Sequence, residues 1–235
     1  MSAMDRRRNA QAGLTLIEIM IASMVMVIMM TLAWKTIANT SDARNSFGRY
    51  QERNHEIRMA LGRTVADFES AYLSQNEERP DLTNPRTMMI AKASGKVPEI
   101  RFSTLGHRVL WSDANESEQT VITYLALASR ENPGQTDWVR AERRRPSNKP
   151  VEEEPAEYDV LVRNIEKVEI EFWNYKNLEW QDTWDTTQSD GQKDMLPSRV
   201  RITVTVKNSE KKDIKLSTQA RVYLQEPLLF NPKTR

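Results

Sequence analysis

The sequence contains no cysteine and only two histidines among its 235 residues. Without cysteine, the chain cannot form disulfides, cysteine-ligated zinc sites or thiol nucleophiles. Its formal net charge of +1 provides neither a strong basic field for nucleic acids nor an acidic tail. The sequence also has no Gly-x-x-x-x-Gly-Lys-[Ser/Thr] motif for nucleotide phosphates and no Gly-x-Ser-x-Gly elbow for a serine hydrolase. These absences exclude several common classes of enzyme.

The N-terminal region contains the one long apolar run of the sequence. A short polar segment with Arg6, Arg7 and Arg8 precedes residues 14–33, which are nearly all Leu, Ile, Met, Val and Ala. About 20 apolar residues suffice for a helix to cross roughly 30 Å of hydrocarbon. Because basic flanks remain in the cytoplasm, we expect the chain after Trp34 to lie on the other side of the membrane.

Glu18 lies inside this apolar run and limits how the run can be interpreted. A secretory signal peptide would have a shorter apolar core and a small-x-small cleavage site, whereas Trp34 and Lys35 follow this one directly. A plain signal anchor explains the length but leaves the acid unexplained. An acid at the centre of a membrane helix costs about 2.5–3.5 kcal/mol, and less near its end.

A third interpretation gives Glu18 a partner. The segment from Gly13 to Glu18, "GLTLIE", resembles the class III signal of type IV pilins and type II secretion pseudopilins. The resemblance implies that a prepilin peptidase cuts between Gly13 and Leu14 and methylates the new amine of Leu14, where Phe is usual. Glu18 becomes the fifth mature residue. Within one helix the first and fifth residues lie about 6 Å apart along the axis, so the acid and the amine of a neighbouring chain can pair instead.

The hydrophobic pattern predicts an α+β protein with a long helix and a β-rich head. Apolar residues recur at helical spacing at positions 50, 57, 61, 65, 68 and 72, and no proline interrupts the chain between Leu14 and Arg79. This pattern predicts one helix of about 60 residues. Beyond it, strand-like alternation occurs at 87–91, 99–103, 108–111, 120–128, 137–142, 168–173, 199–207 and 215–224. A proline-rich, charged loop at 143–157 suggests a boundary between two sheet lobes near residue 150.

The predicted organisation therefore has four parts. A cytoplasmic leader at 1–13 is removed, the transmembrane half of the helix occupies 14–34, and its periplasmic half occupies 35–79. The β-rich head covers 80–235, and its sheets are antiparallel.

Sequence segments in the head indicate a more specific family. The segments "EIRFSTLGHRVLW" and "VRNIEKVEIEFWNYKNLEWQDTW", followed by "LPSRVRITVTV", resemble the J-type minor pseudopilins of type II secretion systems. Trp180, Trp184, Leu196 and Pro197 are the positions that match. The fold that the resemblance implies is pilin-like.

The resemblance implies a structural subunit without catalysis, cofactor, metal, nucleic acid or small-molecule substrate. Such a subunit belongs to the tip of a periplasmic pseudopilus, where it helps to start assembly and protein export across the outer membrane. The implied partners are minor pseudopilins of the I, K and H types, the major pseudopilin, the prepilin peptidase and the inner-membrane platform. The implied location is the bacterial inner membrane, crossed once, with the C-terminal domain in the periplasm.

Two alternatives remain open from the sequence. One is a minor pilin of a type IV pilus, and the other is a signal-anchored periplasmic protein of unknown activity. Type IV minor pilins often close a C-terminal loop with a disulfide, which this chain cannot form.

Two clusters in the head are candidate sites. Trp173, Trp180 and Trp184 fall within twelve positions, and tryptophan is enriched in protein interfaces, so either core packing or a partner contact explains them. Aspartates at 182, 185, 190 and 194 could offer oxygen ligands to calcium, although their spacing does not match an EF-hand. His55 and His107 lie far apart, and we expect neither to bind metal.

Overall fold

The computed structural model describes residues 15–74, 87–107, 118–143, 151–153, 155–207 and 212–228. The chain divides into two compact units, residues 1–49 and residues 50–235. The helix α1 (Leu16–Glu69) contributes to both units.

The described part of the first unit consists of the N-terminal portion of α1. Its side chains are exposed from Leu16 onward, and it is long and apolar enough to cross a membrane. Hydroxyl groups in this portion donate to carbonyl oxygens three or four residues earlier, as in Thr31 to Ile28 O (2.8 Å) and Thr36 to Leu32 O (2.9 Å). Such bonds satisfy polar groups locally, as an apolar environment requires.

The second unit begins with the C-terminal portion of α1, which buries one face. The buried positions recur every three or four residues and are Ile57, Ala60, Leu61, Thr64, Asp67 and Phe68. Most of the predicted apolar stripe is confirmed, but Tyr50 is 47% exposed and does not belong to the core.

The helix ends at Glu69, ten residues before the predicted end at 79. Beyond it, Ala71 forms an antiparallel bridge with Thr104, and the Tyr72 amide donates to Ser103 O at 3.1 Å. The chain becomes extended there because its backbone groups form hydrogen bonds with the end of the strand at Ser103 and Thr104 instead of with the helix.

Ten strands follow α1 in the described part of the chain. They are β1 (Met89–Lys92), β2 (Glu99–Thr104), β3 (Thr120–Ala128), β4 (Thr136–Arg143), β5 (Glu157–Val162), β6 (Ile165–Asn174), β7 (Glu179–Gln181), β8 (Trp184–Asp185), β9 (Arg199–Lys207) and β10 (Asp213–Arg221). A short 3-10 helix (Val151–Glu153) lies between β4 and β5.

The strands form two antiparallel sheets, as the alternation predicts. The first sheet has the order β5-β4-β3-β2-β1-β8, and the second has the order β10-β9-β6-β7. The predicted strand at 108–111 lies outside the described residues. Three strands, β5, β7 and β8, were not predicted, because each is short or polar.

The first passage from one sheet to the other lies between β5 and β6, at Arg163 and Asn164. The expected boundary near 150 would separate β5 from the first sheet, but β5 pairs with β4. The α1 side chains hold this passage in place: Arg53 donates to Arg163 O and Asn164 O, and Glu56 accepts from the Arg163 amide at 2.9 Å.

Phe68 of α1 packs against both sheets. Its ring stacks on Phe102 of β2 at 4.7 Å between centroids and meets Phe172 of β6 edge-on at 6.4 Å. All three side chains are 0% exposed. One helix residue therefore joins the two sheets into a single hydrophobic core.

We predict that Phe68→Ala lowers the free energy of unfolding by about 3–5 kcal/mol, because it removes a buried ring and leaves a cavity between the sheets. Urea unfolding of the detergent-solubilised full chain, followed by far-ultraviolet circular dichroism, measures the change. Met59→Ala is the control, since Met59 lies on the same helix and is 62% exposed. Equal midpoints for the two variants would contradict the assignment.

Candidate functional site

Glu18 lies in the first turn of α1, where an acid is favoured by the positive end of the helix dipole. Its side chain is exposed and has no hydrogen bond or ion pair with the residues that the structure describes. Gly13 and Leu14 lie outside those residues, so the cleavage site stays a prediction from the sequence.

A cluster of buried charged side chains joins α1 to the first sheet. Arg140 of β4 donates through Nε to Asp67 Oδ2 at 2.6 Å and through Nη2 to Asp67 Oδ1 at 3.2 Å. Its Nη1 donates to Glu142 Oε2 at 2.5 Å, and the Tyr124 hydroxyl donates to Asp67 Oδ2 at 2.5 Å. Arg140 is only 2% exposed, so its charge depends on these two carboxylates.

Further charges surround this cluster. His107 Nδ1 lies 2.8 Å from Glu142 Oε1. Arg63 of α1 approaches Asp67 at 3.6 Å and Glu142 at 3.7 Å. Both carboxylates are thus occupied by donors within the protein. Such an arrangement suits the attachment of α1 to the sheet better than proton transfer to a substrate.

Burial and neighbouring charges shift the pKa values of these groups. Burial raises the pKa of Tyr124 well above its ordinary value, and the charge of Asp67 raises it further. For Glu142, burial alone would raise the pKa, but the hydrogen bond and charge of Arg140, with those of His107, lower it below 4.5. Arg140 keeps its proton: burial opposes its charge, yet Asp67 and Glu142 raise its pKa.

One feature of the sequence indicates this cluster. Asp67 occupies a position on the buried face of α1, and a buried acid requires a partner. Its main partner, Arg140, lies on β4, which has no exposed residue. The pairing of Arg140 with Asp67 joins positions 73 residues apart, which periodicity cannot reveal.

The three tryptophans that lie close together in the sequence differ in burial in the structure. Trp184 is 1% exposed; its Nε1 donates to Met195 O at 2.8 Å and its ring lies 6.0 Å from Phe172. It is a core residue and is not accessible to a partner. Trp173 and Trp180 form a cross-strand pair at 5.3 Å and are partly exposed.

The aspartate-rich loop is organised by its own hydrogen bonds. Asp185 accepts from the Thr187 amide at 2.8 Å and from its hydroxyl at 2.5 Å. Gly191 packs so closely on Asp185 O that a Cβ would lie 2.8 Å from it. In the described ranges, which include the whole of this loop, no three acidic or histidine side chains come close enough together to hold a metal ion.

We predict that the charged cluster makes stability fall in acid. Glu142 has a lowered pKa in the folded protein, so the stability it contributes is present above its unfolded value of 4.5 and is lost as the pH falls through the folded pKa. Urea midpoints at several pH values between 3 and 7 should therefore change less for Glu142→Gln than for the unchanged protein.

Glu99→Gln is the control for this titration, because Glu99 is exposed on β2. It should keep the full loss of stability in acid. If Glu142→Gln shows the same acid dependence as Glu99→Gln, the role assigned to Glu142 is wrong.

Comparison with known protein families gives two matches. The model of the family "Type II secretion system (T2SS), protein J" matches residues 35–215, and that of the "Prokaryotic N-terminal methylation motif" matches residues 8–34. A search among curated proteins finds no match.

Two solved structures share a distant likeness to the chain. One is a chain of the GspK-GspI-GspJ complex from the type 2 secretion system of enterotoxigenic Escherichia coli, at 14% identity and a TM-score of 0.45, covering 73% of this chain and 99% of that one. The other is a type IV-like pilin from Thermus thermophilus, at 8% identity and a TM-score of 0.45, covering 74% and 97%.

The match to the J family covers most of the second unit and the portion of α1 that precedes it. It confirms the resemblance drawn from the head, and the methylation motif confirms the class of N-terminal signal. The members of the protein J family of type II secretion systems are minor pseudopilins, and the chain belongs to this family.

Proposed function

We propose that this minor pseudopilin is anchored in the bacterial inner membrane by α1, with its head in the periplasm, and joins the tip of the pseudopilus. The proposal is supported by the order of the segments along the chain. A methylation motif at 8–34 leads into an apolar, fully exposed portion of α1, and the J-family match begins directly after it at residue 35.

The N-terminal chemistry supports assembly between chains. Cleavage between Gly13 and Leu14 would expose an amine with a reference pKa of about 8, which is cationic at neutral pH. Both this cation and the Glu18 carboxylate are costly in lipid when alone. A mature chain that begins at Leu14 would carry its amine four residues before Glu18, which lies in the first turn of α1, and each group could meet its counterpart on a neighbouring chain.

Membership of the family supports a specific set of partners. These are the minor pseudopilins of the I, K and H types at the tip, the major pseudopilin of the shaft, the prepilin peptidase and the inner-membrane platform. We propose that the protein has no catalytic activity of its own. The burial of the Asp67 and Glu142 carboxylates against Arg140 supports this, because it assigns them to the fold.

We predict that deletion of the gene leaves exoproteins in the periplasm while surface motility persists, because the chain serves secretion and not a motility pilus. Fractionation of culture medium and periplasm, with a motility assay on the same strain, measures both outcomes. Expression of the full chain from a plasmid should restore secretion. Normal secretion with lost motility would instead indicate a type IV minor pilin.

We predict that Glu18→Ala is processed normally but enters the pseudopilus less well, because the amine of its neighbour loses its counterion. We expect the association free energy to weaken by about 1–2 kcal/mol, which lowers the association constant roughly five- to thirtyfold. This loss corresponds to one buried ion pair within a larger helix contact. Co-purification with a tagged I-type partner measures incorporation.

Mass spectrometry of the same sample controls for processing. The unchanged protein and Glu18→Ala should both begin at methylated Leu14. Glu52→Ala is the matched control, since Glu52 is an exposed acid further along α1. Incorporation of Glu18→Ala equal to that of Glu52→Ala would contradict the pairing, and a chain still beginning at Met1 would contradict the cleavage.

A further inference from the structure

The outer face of the second sheet has a row of aromatic and arginine side chains at one end. Trp180 of β7 pairs with Trp173 of β6, Trp173 pairs with Arg199 of β9, and Arg199 pairs with Arg221 of β10. Paired residues of antiparallel strands project from the same face. With strands about 4.8 Å apart, the row extends for about 14 Å.

Two further residues complete this surface. Arg201, two positions after Arg199 on β9, holds its guanidinium 4.0 Å from the ring centroid of Trp180. Tyr223 follows β10 and lies 5.8 Å from the Arg221 guanidinium. We call the six residues the arginine–tryptophan corner: Trp173, Trp180, Arg199, Arg201, Arg221 and Tyr223.

Three side chains of the corner, those of Trp173, Trp180 and Arg201, are held in place within the chain. Trp173 and Trp180 meet edge-on at 5.3 Å, and Arg201 Nη1 lies 3.1 Å from Glu171 Oε2 while its guanidinium covers Trp180. A cation fixed over an indole ring loses little side-chain entropy when it binds. The corner is therefore preorganised, which favours affinity.

The corner also carries positive charge that the fold does not neutralise. Of its three arginines, only Arg201 has an ion pair within the described part of the chain, the one with Glu171. Arg199 and Arg221 are exposed on the strands. The charge at this end of the sheet is complementary to an acidic ligand.

The opposite end of the same sheet provides the contrast. Its lysines are paired with glutamates: Lys167 with Glu169 at 2.7 Å, Lys215 with Glu169 at 3.5 Å and Lys207 with Glu166 at 3.3 Å. Lysine and glutamate are depleted in protein interfaces, while Trp, Tyr and Arg are enriched. One sheet thus has a balanced, solvated end and an end with the composition of an interface.

The turn before β7 adds an exposed apolar residue. Leu178 has a positive φ of 58° and is 71% exposed, two residues before Trp180. A leucine is strained in this conformation, which glycine would adopt without cost. Folding alone would favour glycine here, so the exposed leucine points to a contact that the isolated chain does not make.

We propose that the arginine–tryptophan corner is a docking surface for an extended acidic segment of a partner protein. Arg199 and Arg221 are directly paired across β9 and β10, about 4.8 Å apart. An extended segment presents alternate side chains about 6.7 Å apart, and the long arginine side chains can reach carboxylates at every second position of it, while an apolar side chain lies against Trp180. This inference goes beyond the role in pseudopilus assembly and rests only on the geometry of the sheet.

A crosslinking experiment in cells identifies the occupant. The full chain carries the photoreactive residue p-benzoylphenylalanine in place of Tyr223 or, as the matched control, in place of Lys215 on β10. We expect the product at 223 to contain a segment with at least two acidic residues at alternate positions, and position 215 to give no such product. A lipid product, a segment without acidic residues, equal products at both positions or no product would overturn the proposal.

A synthetic peptide of the crosslinked segment then measures the contribution of each end of the sheet. Tryptophan fluorescence of the detergent-solubilised full chain reports its binding. We expect Arg199→Ala with Arg221→Ala to weaken binding about tenfold, and Lys207→Ala with Lys215→Ala to leave it unchanged. Equal effects of the two double variants would overturn the proposal.

Leu178→Gly separates docking from folding. Because glycine relieves the strain at this φ, the variant should unfold at an equal or higher urea concentration while binding the peptide less tightly. Unchanged peptide binding would exclude Leu178 from the surface. The secretion and motility phenotypes do not enter this test, so the docking surface can fail while the proposed function holds.

Discussion

The pairing of Asp67 with Arg140 is the constraint on which the rest of the head depends. A guanidinium that is 2% exposed is tolerated only with its counterions in place, and one of them comes from the helix and another, Glu142, from the same strand. The position of α1 on the first sheet is therefore determined by charge as well as by shape. Phe68, the next residue along α1, extends the contact to the second sheet through Phe172. Two adjacent helix residues thus orient both sheets.

The two ends of α1 each carry an acidic side chain, and the surroundings of the two carboxylates are opposite. In the membrane-directed portion, the acid Glu18 is exposed and has no partner in the described chain. In the head, Asp67 is buried and fully paired. An unpaired acid in an apolar segment invites association with another molecule, whereas a paired acid within a core stabilises one conformation. The proposed pairing of Glu18 would thus use electrostatics between chains, whereas the pairing of Asp67 uses electrostatics within one chain.

Much of this organisation could be predicted from the sequence, because it rests on local patterns. The apolar run, the helical spacing before Phe68 and the alternation in β3 and β9 each depend on residues close in sequence. The end of α1 could not be predicted, because Ala71 leaves the helix to pair with Thr104, a tertiary contact. The buried position of Trp184 was hidden for the same reason: its place in the core depends on Met195 O and Phe172. The Asp67 cluster joins the helix to β3 and β4, and the arginine–tryptophan corner joins separate strands, so no spacing rule predicts either.

The placement of β8 has a consequence for the order in which the head can form. The chain leaves the second sheet after β7, contributes Trp184 and Asp185 to the edge of the first sheet beside β1, and then returns to the second sheet as β9. Ile90 therefore pairs with Asp185, a residue 95 positions later in the chain. Contacts of such long sequence separation slow folding, and neither sheet can be completed before the other has begun. The head should therefore remain incomplete until β8 and β9 are available and then become native in one late, cooperative step.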